Sequence, residues 1–293
     1  MSHIIQNPSF KNFNQKDIFK NTVEYSQRDH NTWEQLYTTQ IVNLQDLAHP
    51  NMLKCLEELS LPKSNVPQLE EISKKLYKKT RWQISRVEDL IKSDTFFELL
   101  ANRMFPSTVY IRSNEELSLS RDPDVFHELF GHCPILLDIM HANIFEKIGV
   151  LGLQLDETQR QFLQRLFWFT FETGLVNTNH GLKIYGGSLL SSIKESRFSI
   201  KDTKVIRKNF DVIQIFRTPY RADLLQAVYY IIPNFSQLYT MFDDIDLIKE
   251  KMDVAYELGE FAAYFPVEEQ HAKYINYNIC KFINNSEKIT DSL

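Results

Sequence analysis

Glycine is scarce here, eight residues in 293, and none falls into a phosphate-cradling loop or a dinucleotide fingerprint. Chemistry that wraps backbone around a nucleotide phosphate therefore loses support. The three cysteines, at 55, 133 and 280, have no paired spacing, so neither a disulfide framework nor a Cys-pair redox or zinc motif is expected, and a reducing cytoplasm fits best. No apolar run approaches the length that crosses a bilayer. The start, Met1 to Lys20, is polar, broken by Pro8, and lacks the basic-then-apolar order of a signal peptide. A net charge of -5 comes without a long block of either sign, which argues against a nucleic-acid surface. No Gly/Ser- or Pro-rich linker, internal repeat or sustained heptad divides the chain. These absences leave a single globular unit whose partner is a small molecule.

What is present is apolar and aromatic. Hydrophobic residues make up 43%, with 21 Phe and 13 Tyr, ample for one core. The expected class is mainly α with a few short β-strands, in a single domain over 21–270, flanked by a loose extension (1–20) and a polar tail (271–293). Trp33, Leu36, Tyr37, Ile41 and Leu44 recur at helical spacing, as do Leu69, Ile72 and Leu76 after Pro67. Asp94 is read as the cap of a helix carrying Phe96, Phe97, Leu100 and Met104, and Asp156 as the cap of the stretch leading to Phe171. Strands are expected at Thr108 to Arg112, Val212 to Phe216 and Ala227 to Ile232, where β-branched and aromatic residues concentrate.

Arg121 to Asp138 reads RDPDVFHELFGHCPILLD, in which Asp122 and Pro123 resemble a cap and a first helical position. His127 and His132 are five apart, which separates them by about 140° on an ideal helix, against about 40° for a spacing of four. Both imidazoles meet one ion only if the helix ends or distorts near the second, and Gly131 and Pro134 supply such a place. The alternative is a pair of hydrogen-bonded core histidines.

Phe162 to Leu175 reads FLQRLFWFTFETGL, apolar or aromatic on every face from Leu166 to Phe171 apart from Thr170. A carboxylate there, Glu172, is costly unless something positive meets it. Arg165 or Arg197 would make it a structural ion pair. A metal is the other partner, because two histidines and one carboxylate leave part of a ferrous ion's coordination open to dioxygen and substrate. The same donors suit zinc.

With TWEQLY at Trp33, PQLEE at Pro67, YIR at Tyr110, PDVFHELFGHCP, WFTFETGL and IYGGSLLSS, the chain resembles the pterin-dependent aromatic amino acid hydroxylases, from about His30 to Phe265. The short chain, ending near ELGEFAAYFP, is similar to the bacterial branch that acts on phenylalanine. The resemblance implies the catalytic fold of that family, Fe(II), a tetrahydropterin such as tetrahydrobiopterin, and O2 as co-substrate. It implies His127, His132 and Glu172 as iron ligands, with Glu128 ordering water near the pterin. Phe96 would stack on the pterin, with Asp89, Leu90, Ile91 and Phe167 bordering it. Arg112 would hold the substrate carboxylate, a task suited to a planar fork of donors, with Ser120 and Ser191 on the amino acid backbone and Trp168 shaping the ring pocket. Phe167 replaces a common tyrosine, Thr173 a common phenylalanine, and Asp89 and Lys194 residues that are usually glycine.

Three alternatives remain at the level of sequence. One is a tyrosine or tryptophan hydroxylase of the same family. Another is a zinc hydrolase with Glu128 as general base. The last is a non-catalytic helical protein that sequesters an aromatic ligand.

Overall fold

The structure, a computed structural model, describes residues 22–88, 91–118, 120 and 122–264. The expected N-terminal extension and C-terminal tail lie outside these residues, as do Asp89 and Leu90. Helices dominate and strands are short, in agreement with the expected class.

The amphipathic stripe from Trp33 to Leu44 forms α1 (Gln27–Leu44), started by a capping box between Ser26 and Asp29. Two further helices follow, α2 (Pro50–Leu59) and α3 (Leu69–Thr80). A parallel pair of strands, β1 (Gln83–Arg86) and β2 (Met104–Ser107), brackets α4 (Ser93–Ala101). Lys92, rather than Asp94, occupies the N-cap of α4, and Met104 belongs to β2 instead of continuing the helix.

The strand expected at Thr108 to Arg112 is absent. Pairing stops at Ser107, and beyond it the backbone meets loop partners, Tyr110 O accepting from Val125 N at 2.9 Å. The 212–216 run is a short helix, not a strand. Asp211 accepts the Gln214 N–H at 2.9 Å, so the cap overrides the β-branched composition.

After α5 (Cys133–Leu137) comes α6 (Ile139–Gln154), capped by Asp138. It crosses α4 at backbone contact: a Cβ on Gly149 would stand 2.1 Å from Ala101 N, and one on Gly152 2.3 Å from the Phe97 ring. That close crossing fixes where α4 delivers Phe96. Asp156 caps α7 (Glu157–Phe167) in a capping box with Gln159, as expected.

The main sheet has the order β4-β3-β6-β5. β3 (Leu175–Thr178) and β4 (Gly181–Ile184) form a hairpin turning at Gly181, whose φ of 89° suits glycine. β6 (Val228–Ile232), the one foreseen strand, runs parallel to both β3 and β5 (Ile206–Asn209). Between β4 and β5 lie α8 (Gly187–Ser191) and α9 (Ile193–Lys201). The 212–216 helix is α10, and α11 (Phe235–Met241) and α12 (Ile245–Leu258) complete the described chain. Among the described residues no helix is long and apolar enough to cross a membrane.

Candidate metal centre and its aromatic walls

The two segments that carry the candidate ligands share an irregularity. His127–His132 forms a π-turn, with Cys133 N–H bonded to Glu128 O, and Trp168–Glu172 forms a second, with Thr173 N–H bonded to Trp168 O at 2.9 Å. An i→i+5 bond widens the helix and swings residues five apart toward one side. This widening answers the five-residue spacing: the helix neither ends nor breaks at Gly131, it expands. The start also differs from expectation, since Asp124, rather than Asp122, accepts the His127 N–H (2.9 Å).

His127 Nε2 lies 3.0 Å from His132 Nε2, His132 Nε2 3.1 Å from Glu172 Oε1, and His127 Nε2 3.8 Å from Glu172 Oε2. Donors about 2.1 Å from one ion and at right angles to each other stand about 3 Å apart, so this triangle has the size of one face of a metal's coordination shell. The alternatives for Glu172 fall away, because Arg165 bonds Phe216 O and Glu260 while Arg197 bonds Asn43. Burial, aided by the charge of His132, lowers His127 to about 4, leaving its ring neutral and able to offer a lone pair. Burial would raise Glu172, but the adjoining His132, which also hydrogen-bonds it, and the Ser188 hydroxyl hold its carboxyl low, at about 2. His132 Nδ1 is buried without a hydrogen-bond partner among the described residues.

Glu128 also comes within reach, its ligand atom and those of the two histidines lying within 4.8 Å of one another. Two carboxylates thus compete for the third position. Burial, with the charges of Glu172 and Asp124, pushes Glu128 well above the usual carboxylate range. Glu172 is the carboxylate in direct contact with both imidazoles, Oε1 standing 3.1 Å from His132 Nε2 and Oε2 3.8 Å from His127 Nε2, which makes it the better-placed third donor.

Aromatic rings close the surroundings. Phe105 lies 4.8 Å from the His132 ring, and Phe167 makes an edge contact with Phe96 at 5.5 Å. Phe97 and Leu100 belong to the core, whereas Phe96 is half-buried on the Phe167 side. Ile91 is half-buried just before α4. Trp168 stacks on Tyr220 at 4.4 Å and 11°, and its indole N–H donates to Gln226 Oε1 at 3.1 Å. Gln226 N–H donates to the buried Glu195, whose carboxyl burial raises to about 7.

Other expected residues are partly spoken for. Arg112 turns Nε and Nη2 onto Asp124, leaving Nη1 without a hydrogen bond among the described residues. Ser191 Oγ lies 3.0 Å from His127 Nδ1, touching a candidate ligand. The Ser120 hydroxyl donates to Asp122 O in its own loop. Thr173 donates to Trp168 O and closes the second π-turn, and Cys133 is buried packing. Asp124, Ser188, Tyr220, Gln226 and Glu195 were not singled out in the sequence. Asp124 was findable as the last capping residue before Val125, and Ser188 lies inside IYGGSLLSS, but nothing local marks Tyr220, Gln226 or Glu195.

Residues 7–286 match the family described as biopterin-dependent aromatic amino acid hydroxylase. A phenylalanine-4-hydroxylase of Pseudomonas aeruginosa is 40% identical over 249 residues, 84% of this chain and 93% of that protein. The apo structure of the cold-active phenylalanine hydroxylase from Colwellia psychrerythraea superposes with a TM-score of 0.81 at 41% identity, covering 85% of this chain and 95% of that one. The Chromobacterium violaceum phenylalanine hydroxylase with bound oxidised Fe(III) gives 0.78 at 35% identity, covering 83% and 88%.

Proposed function

Because the chain belongs to the biopterin-dependent aromatic amino acid hydroxylases, we propose that it converts L-phenylalanine to L-tyrosine with Fe(II), a tetrahydropterin and O2. The observation that carries this reading is the triangle of His127, His132 and Glu172 donor atoms. Its size and its two-imidazole, one-carboxylate chemistry suit ferrous iron with positions left open. Phenylalanine as substrate is supported by the names of the relatives above.

In this proposal the three side chains would hold the iron, two through imidazole nitrogens and one through a carboxylate oxygen. Bound there, iron and the reduced pterin supply the activation of dioxygen that ring hydroxylation requires. The remaining residues bind, orient and exclude water. Phe96 and Phe167 offer flat apolar surface to the pterin ring, with Ile91 just ahead of the helix that carries Phe96. Glu128, buried beside the two imidazoles, would order water near the pterin. Arg112, anchored by Asp124, presents Nη1 to the substrate carboxylate. The Trp168–Tyr220 stack walls the ring pocket, where a dry lining binds an aromatic side chain by packing. Ser191 supports His127 and through it the substrate end of the site, while Ser120, whose hydrogen goes to Asp122 O, keeps its oxygen lone pairs for the substrate ammonium group. A monomer working in the cytoplasm completes the proposal.

The family match and the hydroxylase relatives speak against the hydrolase alternative. The binding-only alternative gives no reason for three metal-type donors to converge. Aerobic incubation of the purified chain with ferrous iron and a tetrahydropterin, with phenylalanine, tyrosine and tryptophan in parallel, tests the reading by chromatography. Tyrosine formed from phenylalanine only when iron and pterin are both present supports it. No product from any of the three, in a folded and iron-loaded protein, contradicts it.

A further inference from the structure

The five-residue turn α8 reaches all three candidate ligands. Ser191 Oγ lies 3.0 Å from His127 Nδ1, a Cβ on Gly187 would stand 2.6 Å from the His132 ring, and Ser188 Oγ donates to Glu172 Oε2 at 2.7 Å. We propose that Ser188 is a positioning residue for the metal site, its hydroxyl fixing Oε2 of Glu172 so that Oε1 is aimed at His132. This role rests on the ligand set proposed above and adds to it a residue that acts through Glu172.

The geometry carries the argument. Glu172 has three side-chain torsions to fix, and the arginines that might have anchored it are engaged elsewhere, Arg165 with Phe216 O and Glu260 and Arg197 with Asn43. Among the described residues, the Ser188 hydroxyl is the one hydrogen-bond donor to the Glu172 carboxylate other than the imidazoles. With Oε2 held by Ser188, Oε1 rests 3.1 Å from His132 Nε2.

Ser188 is itself held firmly. Its carbonyl accepts from Ser192 N at 3.0 Å and from Ser191 Oγ at 3.3 Å. The turn is also pressed against the first π-turn, because a Cβ on Gly131 would meet Gly187 O at 2.4 Å. A fixed hydroxyl on a metal-binding carboxylate orients the ligand before the ion arrives, and loss of such a partner weakens metal affinity by about 10- to 100-fold.

The test is a titration of the full metal-free chain with Co(II), and anaerobically with Fe(II), for the parent, Ser188→Ala and Ser188→Thr. The visible Co(II) spectrum and the metal-free melting temperature are recorded alongside. Ser188→Ala is expected to bind about 10- to 100-fold more weakly, with displaced Co(II) bands and a parent-like metal-free melting temperature. Ser188→Thr, which keeps the hydroxyl, restores most of the affinity. Parent-like affinity and spectrum in Ser188→Ala overturn the role of Ser188 and leave the ligand set standing. Equal losses in the Ala and Thr variants also overturn it. A parent chain that takes up neither metal overturns the ligand set and this role with it.

Discussion

Arg112 and Asp124 form a buried two-point ion pair, with Nε and Nη2 of the guanidinium 2.8 and 2.7 Å from the two carboxylate oxygens. The same Asp124 Oδ1 accepts the His127 backbone N–H at 2.9 Å. One carboxylate therefore orients both the proposed substrate-holding arginine and the turn that carries the first candidate ligand. The Arg112 charge holds Asp124 below its usual range against the opposing effect of burial.

Arg112→Lys keeps the charge but replaces a fork with a point donor that cannot span both Asp124 oxygens and also reach a substrate carboxylate. The expected result is a rise in the phenylalanine KM of about 10-fold or more, the worth of one charge-assisted hydrogen bond, with a smaller change in iron affinity. Steady-state kinetics beside an anaerobic iron titration separate the two. An unchanged KM would remove Arg112 from substrate binding.

Gly149→Ala tests the scaffold apart from the chemistry. A methyl there meets the Ala101 backbone at 2.1 Å, so α6 and α4 must separate. Overpacking of this kind costs about 1–3 kcal/mol, and each kcal/mol lowers Tm by roughly 2–4 °C in a chain of this size. Because α4 carries Phe96, the pterin KM rises while iron affinity stays near the parent's. Calorimetry and pterin-dependent kinetics check both parts.

Glu195 gives a pH signature. Burial raises its carboxyl from the usual 4.5 to about 7, while the Gln226 N–H and the Tyr229 hydroxyl oppose the rise and Glu172 adds to it. In that window the folded chain keeps a proton that the unfolded chain has lost, so the contribution of Glu195 to stability falls as pH rises from about 4.5 to about 7. Glu195→Gln cannot titrate. Its stability relative to the parent should increase between pH 5 and pH 8, by at most about 3 kcal/mol at 1.36 kcal/mol per pKa unit. Denaturant melts at both pH values measure this, and a pH-independent difference would contradict it.

The helices were legible in sequence because their apolar spacing and their caps agree, as at Asp156. The candidate ligands were legible through their residue types and motif context. The π-turns were not. A five-residue spacing announces a distortion without saying which, and Thr173 N–H reaching Trp168 O is a tertiary outcome. The hairpin at Gly181 carries its turn signal in Asn179, His180 and Gly181, between two runs too short to stand out as strands. The 212–216 run misled because its β-branched composition outweighed the cap at Asp211, and 108–112 because an extended run need not find a partner strand. Gln226 and Tyr220 come to Trp168 from more than 50 positions away, so no local pattern could announce them.

The most direct test of the account is anaerobic Fe(II) binding by the metal-free chain and by His132→Ala and Glu172→Ala, with folding followed by circular dichroism. The account predicts one ferrous ion per parent chain, and in the variants a native-like spectrum, no stoichiometric iron and no tyrosine produced. Iron retained with turnover in either variant would contradict the proposed triad of His127, His132 and Glu172.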